Sequence, residues 1–374
     1  MEGCSTRRRS ADSVRDAILQ GLALGLTVTA LWWLGHNAVA SLERHGISLG
    51  FGFLRQPANF AIGDTAWLSF SPENSVGRAI LVGLLNTALV SALGCVLAIA
   101  LGFFVGVLRL SPNPAVGGLA RAGVEVLRNT PLLLLLLLLA ASWHGLPRAE
   151  RALHPAPGVF LSDRGLMLPV IRVSGLTVWL GVATLAAVVL RRALGRLGWR
   201  VAVMAAVAGV VSLVVRRPVV QVARLDGFNF TGGTTLSPEF AALLAALVLH
   251  QSAHISEVVR GAILAVPRGQ RDAARALGLS RLQVLRLVTV PLALRAMMPL
   301  LATNCVSLIK NSSLAVAVGF PDVVSILNTV GNQTGHNVET MLMMMVLYLS
   351  LSLAVAGALN RYNTALLARG APAK

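Results

Sequence analysis

Long apolar segments recur along this chain and leave few folds open to it. A helix that crosses the hydrocarbon core of a bilayer needs about 20 mainly apolar residues. Eight segments approximate this requirement: 17–39, 78–108, 121–143, 174–190, 199–215, 238–256, 287–309 and 339–359. No stretch between them is long enough to form a soluble domain of useful size. The sequence therefore predicts an all-α, polytopic membrane protein with about eight transmembrane helices.

The charged residues are few and unequal in sign. They make up 13% of the chain, whereas soluble domains carry about 25%. Lys and Arg number 32 against 15 Asp and Glu, a net charge of +17. Such an excess can indicate nucleic-acid binding, but the arginines lie between long apolar runs, as in the cytoplasmic loops of membrane proteins. We therefore expect a lipid bilayer around this chain and no nucleic-acid partner.

The distribution of basic residues predicts the orientation. Positively charged loops remain in the cytoplasm, and four arginines precede the first apolar segment: Arg7, Arg8, Arg9 and Arg15. With an even number of spans, both termini and the arginine-rich loop 260–286 are then cytoplasmic. The first segment also resembles a signal peptide that would be cut after Ala38-Val39-Ala40. Its apolar stretch is long for a signal peptide, and cleavage would leave the other spans oriented as before.

The sequence contains no motif for catalysis by this chain. A P-loop needs a Gly-Lys pair, and the only lysines, Lys310 and Lys374, follow Ile309 and Ala373. His250 and His254 have a spacing that can hold a metal, but the glutamate of a zinc-protease motif is replaced by Gln251. A polar helix interface or a substrate path explains these histidines better. We therefore expect neither an enzyme nor a metal site.

The loop 257–291 is the most informative hydrophilic segment. Pro267 and Gly269 predict a break after the preceding helix, and residues 272–277 predict a short helix that ends at Gly278 in a left-handed conformation. Ala273, Ala276 and Leu277 would share one face of that helix. Small side chains allow close approach of a partner, although a solvated basic loop is the simpler interpretation from composition alone.

The loop resembles the EAA motif of ABC-importer permeases, whose pattern is E-A-A-x3-G-x9-I-x-L-P. Here the pattern is Asp272-Ala273-Ala274, three residues, Gly278, nine residues, Val288, one residue and Val290-Pro291. The spacing is kept, while Glu→Asp, Ile→Val and Leu→Val are departures. Further stretches resemble the polar amino-acid branch of the family: VPRGQ (266–270), AARALGLS (273–280), KNSSL (310–314), EVLRNTPLLL (125–134) and GGTTLSPEF (232–240). The last two resemble permeases of general L-amino-acid or glutamate/glutamine/aspartate/asparagine importers.

The resemblance implies a five-helix type I ABC-importer core within residues 78–365. Residues 1–77 would add a cytoplasmic tail, an extra helix and an external loop, and a helix pair at about 174–216 would be an insertion. The loop would be a coupling helix that docks on a separate ATPase, which binds ATP and Mg. The residues implied in coupling are Glu257, Arg260, Gly269, Asp272, Ala273, Ala274, Arg275, Gly278 and Pro291.

Polar groups within the core spans are candidates for a substrate path, because unmatched polar groups are costly in the membrane. The candidates are Asn86, Gln251, His254, Lys310, Asn311, Ser312 and Ser313. Lysine, a compact and mobile cation, is used sparingly in this chain, which draws attention to Lys310. Two other interpretations remain open: an interfacial lysine that snorkels and interhelical hydrogen bonding by the other side chains.

The predicted function is a permease subunit of an ATP-driven importer of polar L-amino acids in the bacterial inner membrane. The resemblance implies three kinds of partner: cytoplasmic ATPase subunits, a periplasmic amino-acid-binding protein and a second homologous permease, with a heterodimer favoured. The alternative is a secondary transporter driven by an ion gradient. Such a protein would show inverted repeats with broken helices, and no such pair is visible in the sequence.

Overall fold

A computed structural model of the chain describes residues 3–44, 50–65, 68–172, 203–204, 206–208, 219–226 and 229–368. Ten α-helices are assigned in these ranges: α1 (Gly3–Arg44), α2 (Val76–Leu108), α3 (Pro114–Asn129), α4 (Leu132–His144), α5 (Pro238–Leu264), α6 (Arg268–Ala276), α7 (Arg281–Val284), α8 (Val290–Asn311), α9 (Val323–Thr334) and α10 (Asn337–Ala368). A π-helical turn, Leu285–Thr289, joins α7 to α8, and a 3-10 helix, Ser312–Val318, follows α8. The mainly helical fold confirms the predicted class.

Six of the eight predicted spans correspond to apolar helices of sufficient length. Five are single segments: Ile18–Asn37, Val76–Leu108, Pro238–Leu264, Arg281–Val318 and Asn337–Arg361. The pair formed by α3 and α4 qualifies as a sixth, broken span. The other two predicted spans, at 174–190 and 199–215, lie outside the described residues except for 203–204 and 206–208.

The prediction of one continuous helix over 121–143 is wrong. The chain bends by 103° between α3 and α4, at Thr130 and Pro131. Proline lacks the N–H that a helix interior needs and disfavours helical backbone angles in the residue before it. Thr130 accordingly has φ −88° and ψ 123°, and α3 already begins at Pro114, with Asn113 as its N-cap. The two arms of this span therefore run in different directions.

Eight short strands interrupt the helical fold in the described part of the chain, where the sequence predicted only loops. They are β1 (Leu153–Ala156), β2 (Val159–Ser162), β3 (Gly165–Leu168), β4 (Val170–Arg172), β5 (Val219–Gln221), β6 (Arg224–Asp226), β7 (Asn229–Thr231) and β8 (Thr234–Leu236). One antiparallel sheet has the order β1-β2-β3-β8, and β4–β5 and β6–β7 form two-stranded ladders. Because Arg172 pairs with Val219, the chain leaves and re-enters this region at neighbouring positions.

The centre of the bundle is the contact between α2 and α5. Gly102 and Gly106 on α2 face the backbone of α5, and the space is too small for a side chain. A Cβ added at Gly102 would lie 2.7 Å from Ile255 Cβ and 2.9 Å from the Ser252 carbonyl oxygen. Small residues at such spacing let membrane helices approach closely. One apolar core, which includes Leu136, Leu243 and Leu308, surrounds this contact.

A second apolar core attaches the segment before α2 to the end of the bundle that includes α9. Phe53, Val76 and Ile80 pack with Ile326 and Leu327 of α9. The Phe53 ring stacks on His336 at 4.7 Å between ring centroids, and the Gly50 N–H donates to the buried Glu339 carboxylate at 2.9 Å. Gly50 and Phe53, which lie outside the predicted importer core, are therefore packed into the same bundle.

Adding one methyl group at Gly102 tests the α2–α5 contact. Gly102→Ala is expected to destabilise the protein by about 1–3 kcal/mol, because α2 must move away from Ile255 and Ser252. Gly357→Ala is the matched control, since nothing lies within 4 Å of a Cβ at that position of α10. The measurement is thermal unfolding of the two variants in the same detergent. A Gly102→Ala protein that melts no earlier than the control would contradict the close contact.

Candidate functional site

One carboxylate joins three helices beside the hydrophilic loop. Glu257 lies in the last two turns of α5, and its Oε2 is 2.7 Å from Nη1 of Arg109 and 3.8 Å from Nη1 of Arg128. Its Oε1 accepts a hydrogen bond from Arg260 at 2.6 Å. Arg109 follows the end of α2, and Arg128 lies in the last turn of α3. Glu257 thus ties the ends of α2 and α3 to α5.

The charges in this cluster are only partly accessible to solvent. The side chain of Arg109 is 7% exposed and that of Glu257 is 32% exposed. Arg109 Nη1 also lies 3.3 Å from Ser256 Oγ, whereas its Nε has no partner in the described structure. Removing the carboxylate would leave a buried guanidinium without a counter-ion, which is strongly unfavourable. Glu257 and Arg260 are therefore engaged within the chain, and their assignment to coupling stays a prediction.

The next segment, α6, forms a short exposed helix that ends as the sequence predicts. Gly278 has φ +78°, its N–H donates to the Arg275 carbonyl, and the Leu279 N–H donates to the Ala274 carbonyl. This pair of hydrogen bonds is a Schellman motif. The helix begins at Arg268 rather than at Asp272, so Gly269 lies inside it and does not break it. Pro267 precedes the first residue of this helix. The N–H that proline lacks would have no hydrogen-bond partner within the helix at this position.

The predicted coupling residues on α6 divide into a buried contact and an exposed surface. Ala274 is buried, whereas Asp272, Ala273 and Arg275 are exposed. Leu277, next to Gly278, is 83% exposed. Asp272 and Arg275 form an exposed ion pair at 3.5 Å. A single exposed leucine is common on protein surfaces, so the docking of this surface on a partner stays a prediction.

Of the two predicted path residues on α5, Gln251 contacts α8 directly. The Gln251 side-chain amide donates to Oδ1 of Asn304, which lies on α8 before Lys310. His254 is next to His250, with ring centroids 4.9 Å apart. Among the described residues, no group of three or more His, Cys, Asp or Glu side chains is placed to hold a metal ion.

The remaining path candidates lie at the end of α8 and at the start of the 3-10 helix that follows it. Lys310 is exposed and forms no ion pair with any other residue that the structure describes. Ser312 is buried and donates to the Ile309 carbonyl at 2.7 Å, and Ser313 donates to the Lys310 carbonyl at 2.8 Å. Their hydroxyl protons are therefore used within the helix. Asn311 is the last residue of α8.

Asn86 belongs to a hydrogen-bonded junction at the opposite end of the bundle from α6. Its Nδ2 donates to the carbonyl oxygens of Asp64 at 2.8 Å and Pro321 at 3.0 Å. Close by, Asp322 caps α9 by accepting from the Ser325 N–H at 2.8 Å, and it accepts a hydrogen bond from Tyr348 of α10 at 3.2 Å. Burial raises the pKa of Asp322 to about 6. This junction holds α2, α9 and α10 together.

A cavity of about 690 Å³ opens beside this junction. Its lining comes from the segment before α2, from α2 itself, from the β2–β3 turn, and from β8 and the start of α5. The residues are Gly63, Asp64, Thr65, Asn86, Leu89, Arg164, Thr234, Thr235, Leu236, Ser237, Glu239, Phe240 and Phe320. Of the predicted path residues, Asn86 alone lines this cavity.

Several polar contacts were not recognised in the sequence. Arg109 and Arg128 were not paired with Glu257, Asn304 was not paired with Gln251, and Asp64 was not considered. One signal was available: Glu257 is the one acidic residue of α5 outside its first turn. A lone carboxylate in an apolar helix indicates a basic partner, although the choice among the chain's many arginines requires the fold.

Five single helices and one broken pair that are long and apolar enough to cross a membrane define a polytopic membrane protein. The family described as binding-protein-dependent transport system inner membrane component matches residues 98–367. The chain therefore belongs to this family, the permease subunits of ABC importers, in which a separate subunit is the ATPase.

Curated relatives align over nearly the whole chain. The permease protein YhdX of Escherichia coli is 39% identical over 94% of this chain and 94% of its own length. The general L-amino acid transport system permease protein AapQ of Rhizobium johnstonii is 36% identical, over 93% of this chain and 91% of its own. The glutamate/glutamine/aspartate/asparagine transport system permease protein BztB of Rhodobacter capsulatus is 35% identical, over 94% and 93% respectively.

Neutralising Glu257 tests the arginine cluster. Glu257→Gln is expected to destabilise the protein by about 2 kcal/mol, because charge-assisted hydrogen bonds are lost and Arg109 stays buried. Asp272→Asn, which removes only the exposed pair with Arg275, should change stability by about 0.5 kcal/mol or less. Thermal unfolding of both variants in one detergent makes the comparison. Equal shifts would show that the cluster does not hold the three helices together.

Proposed function

We propose that this chain is a permease subunit of an ATP-driven importer of polar L-amino acids in a bacterial inner membrane. The family membership supports the transport role. The substrate class rests on relatives that align from end to end: AapQ is named for general L-amino acid transport, and BztB for glutamate, glutamine, aspartate and asparagine. Both come from bacteria.

The observation that carries the proposal is the exposed helix α6. The EAA spacing is kept from Asp272 in α6 to Pro291 at the start of α8. The helix α6 is followed by a glycine, Gly278, in the left-handed conformation. Leu277 beside it is exposed to solvent. In our proposal, α6 docks in a groove of a separate ATPase subunit, which binds ATP and Mg. The chain itself needs no cofactor for this role.

The cluster at Glu257 extends the proposed coupling into the membrane. Only three residues separate the end of α5 from the start of α6. A movement of α6 would therefore displace α5. Because Glu257 binds Arg109 and Arg128, a displacement of α5 would be transmitted to the ends of α2 and α3. The bent α3–α4 span is then the part that rotates when the ATPase closes.

The remaining partners follow from the topology that we propose. The termini and α6 lie in the cytoplasm, so the strands and the 690 Å³ cavity face the periplasm, where an amino-acid-binding protein docks. Residues 1–77 are an addition to the importer core at 78–365, and the region around 174–216 is an insertion. A distinct sister permease completes the complex, with the substrate path between the two permeases.

Reconstitution tests the function and separates it from gradient-driven transport. The chain is co-expressed with its ATPase, sister permease and binding protein, and the complex is placed in proteoliposomes. We expect uptake of a radiolabelled polar amino acid that requires ATP and the binding protein and persists when ionophores abolish ion gradients. Uptake driven by a sodium or proton gradient without ATP would overturn the proposal.

Substitutions at Gly278 test the docking of α6. The Gly278→Val substitution is expected to destabilise the docked conformation by about 1–2 kcal/mol, because β-branched residues disfavour positive φ. That loss corresponds to roughly tenfold weaker capture of the ATPase. Gly278→Asn, whose side chain tolerates this conformation, should retain most of the capture. Co-purification of the ATPase and ATP-driven uptake give the readout; equal capture by both variants would contradict a docking role that depends on this turn.

Two substitutions of Lys310 distinguish a path residue from a snorkelling one. If Lys310 meets the substrate carboxylate, Lys310→Met should lower uptake per assembled complex by roughly tenfold, because a charge-assisted contact contributes about 1.5–3 kcal/mol. Lys310→Arg should lower it less. Uptake is normalised to the amount of complex. A wild-type rate for Lys310→Met would remove Lys310 from the path.

A further inference from the structure

The cavity beside Asn86 has features that transport through the importer core does not require. Its wall combines residues of the segment before α2, such as Asp64, with Arg164 of the β2–β3 turn and the strand β8. A volume of about 690 Å³ lies within the range of small-molecule sites, which is about 300–1,000 Å³.

Two carboxylates, Asp64 and Glu239, line this cavity. Asp64 Oδ2 accepts a hydrogen bond from Ser237 Oγ at 2.7 Å, but neither Asp64 nor Glu239 forms an ion pair with another described residue. Burial and the nearby Glu239 raise the pKa of Asp64. A cationic group that entered the cavity would relieve both effects, because it would pair with the partly desolvated carboxylate.

A third acceptor in the cavity is also unused. Asn86 is 1% exposed, and its Nδ2 is held by two backbone carbonyls. Its Oδ1 accepts no hydrogen bond from any described residue, although Asn86 lines the cavity. An amide oxygen has two lone pairs, so this atom can accept a hydrogen bond from a bound N–H.

The wall also offers positive charge. Arg164 is exposed on the β2–β3 turn and lines the same cavity, and a guanidinium binds carboxylates with two parallel hydrogen bonds. The cavity therefore offers acceptors for an ammonium group and a donor for a carboxylate. Two carboxylates against one guanidinium leave an excess of negative charge, which disfavours a second carboxylate on the ligand.

We propose that this cavity is an accessory binding site for a free L-amino acid with a neutral or basic side chain. The α-ammonium binds at Asp64, Glu239 and Asn86 Oδ1, and the α-carboxylate binds at Arg164. This inference rests on the proposed function for the choice of ligand and for the side of the membrane that the cavity faces. Such a site holds substrate on the permease at the face where the binding protein releases it.

Equilibrium binding to the complete importer tests the site. The purified complex of permeases and ATPase, without the binding protein, is placed in nanodiscs and titrated with radiolabelled L-arginine, L-glutamine or L-glutamate. We expect saturable binding of L-arginine and L-glutamine, and at least tenfold weaker binding of L-glutamate. Asp64→Asn combined with Glu239→Gln should weaken L-arginine binding at least tenfold, while Glu73→Gln, an exposed acid of the same segment, should leave it unchanged.

The basic side of the cavity has its own pair of variants. Arg164→Gln should weaken the binding of L-arginine and of L-glutamine, because both carry the α-carboxylate. Arg151→Gln, which changes an exposed arginine outside the cavity, should weaken neither. Retention of the Glu73→Gln and Arg151→Gln complexes at wild-type yield confirms that the comparison concerns binding.

Three results would overturn the proposal. They are the absence of saturable binding by the wild-type complex, binding that survives the double substitution Asp64→Asn and Glu239→Gln, and variants that lose only the capture of the binding protein. The last result would identify the cavity as a protein docking surface. ATP-driven uptake by the same complex keeps the two proposals apart: uptake without cavity binding removes this site alone, whereas a complex without ATP-driven uptake removes the proposed function.

Discussion

The close contact of α2 with α5 positions the functional parts at both ends of the bundle. Gly102 and Gly106 bring the two backbones together in the middle, where a single methyl group would separate them. On one side of this contact, Glu257 of α5 reaches Arg109 at the end of α2. On the other side, Asn86 of α2 and the start of α5 border the same cavity. The two ends are therefore mechanically connected through one rigid helix pair.

The ionic cluster at Glu257 gives this rigid pair a connection to the bent span. An ion pair that is partly removed from water is directional and is costly to break. It is therefore suited to transmit a displacement without dissociating. In the proposed function, α6 follows α5 after a single proline-containing break, so a displacement of α6 would reach α2 and α3 through the Glu257 carboxylate. The apolar contacts of the core alone would allow sliding between the helices.

The parts outside the predicted importer core are integrated with it in two ways. In the segment before α2, Phe53 packs with α9, and the described β-strands lie in the chain between α4 and α5. Together they build walls around the cavity that the core helices alone would leave open. The segment before α2 and the strands therefore supply charged and polar groups, such as Asp64 and Arg164, to the wall of this cavity.

The sequence by itself determined the class of protein, the positions of the five single spans in the described residues, the break at Pro267 and the left-handed turn at Gly278. Each of these depends on a local property: the length of an apolar run, the missing N–H of proline or the freedom of glycine. The bend at Thr130 also depends on the local sequence, but the leucine run that follows it suggests a single continuous span. The pairs Glu257–Arg109 and Gln251–Asn304 and the pairing of β3 with β8 were decided by the tertiary structure. They join residues far apart in the chain, and the rotation of each helix about its own axis, which selects the partners, results from packing against all its neighbours.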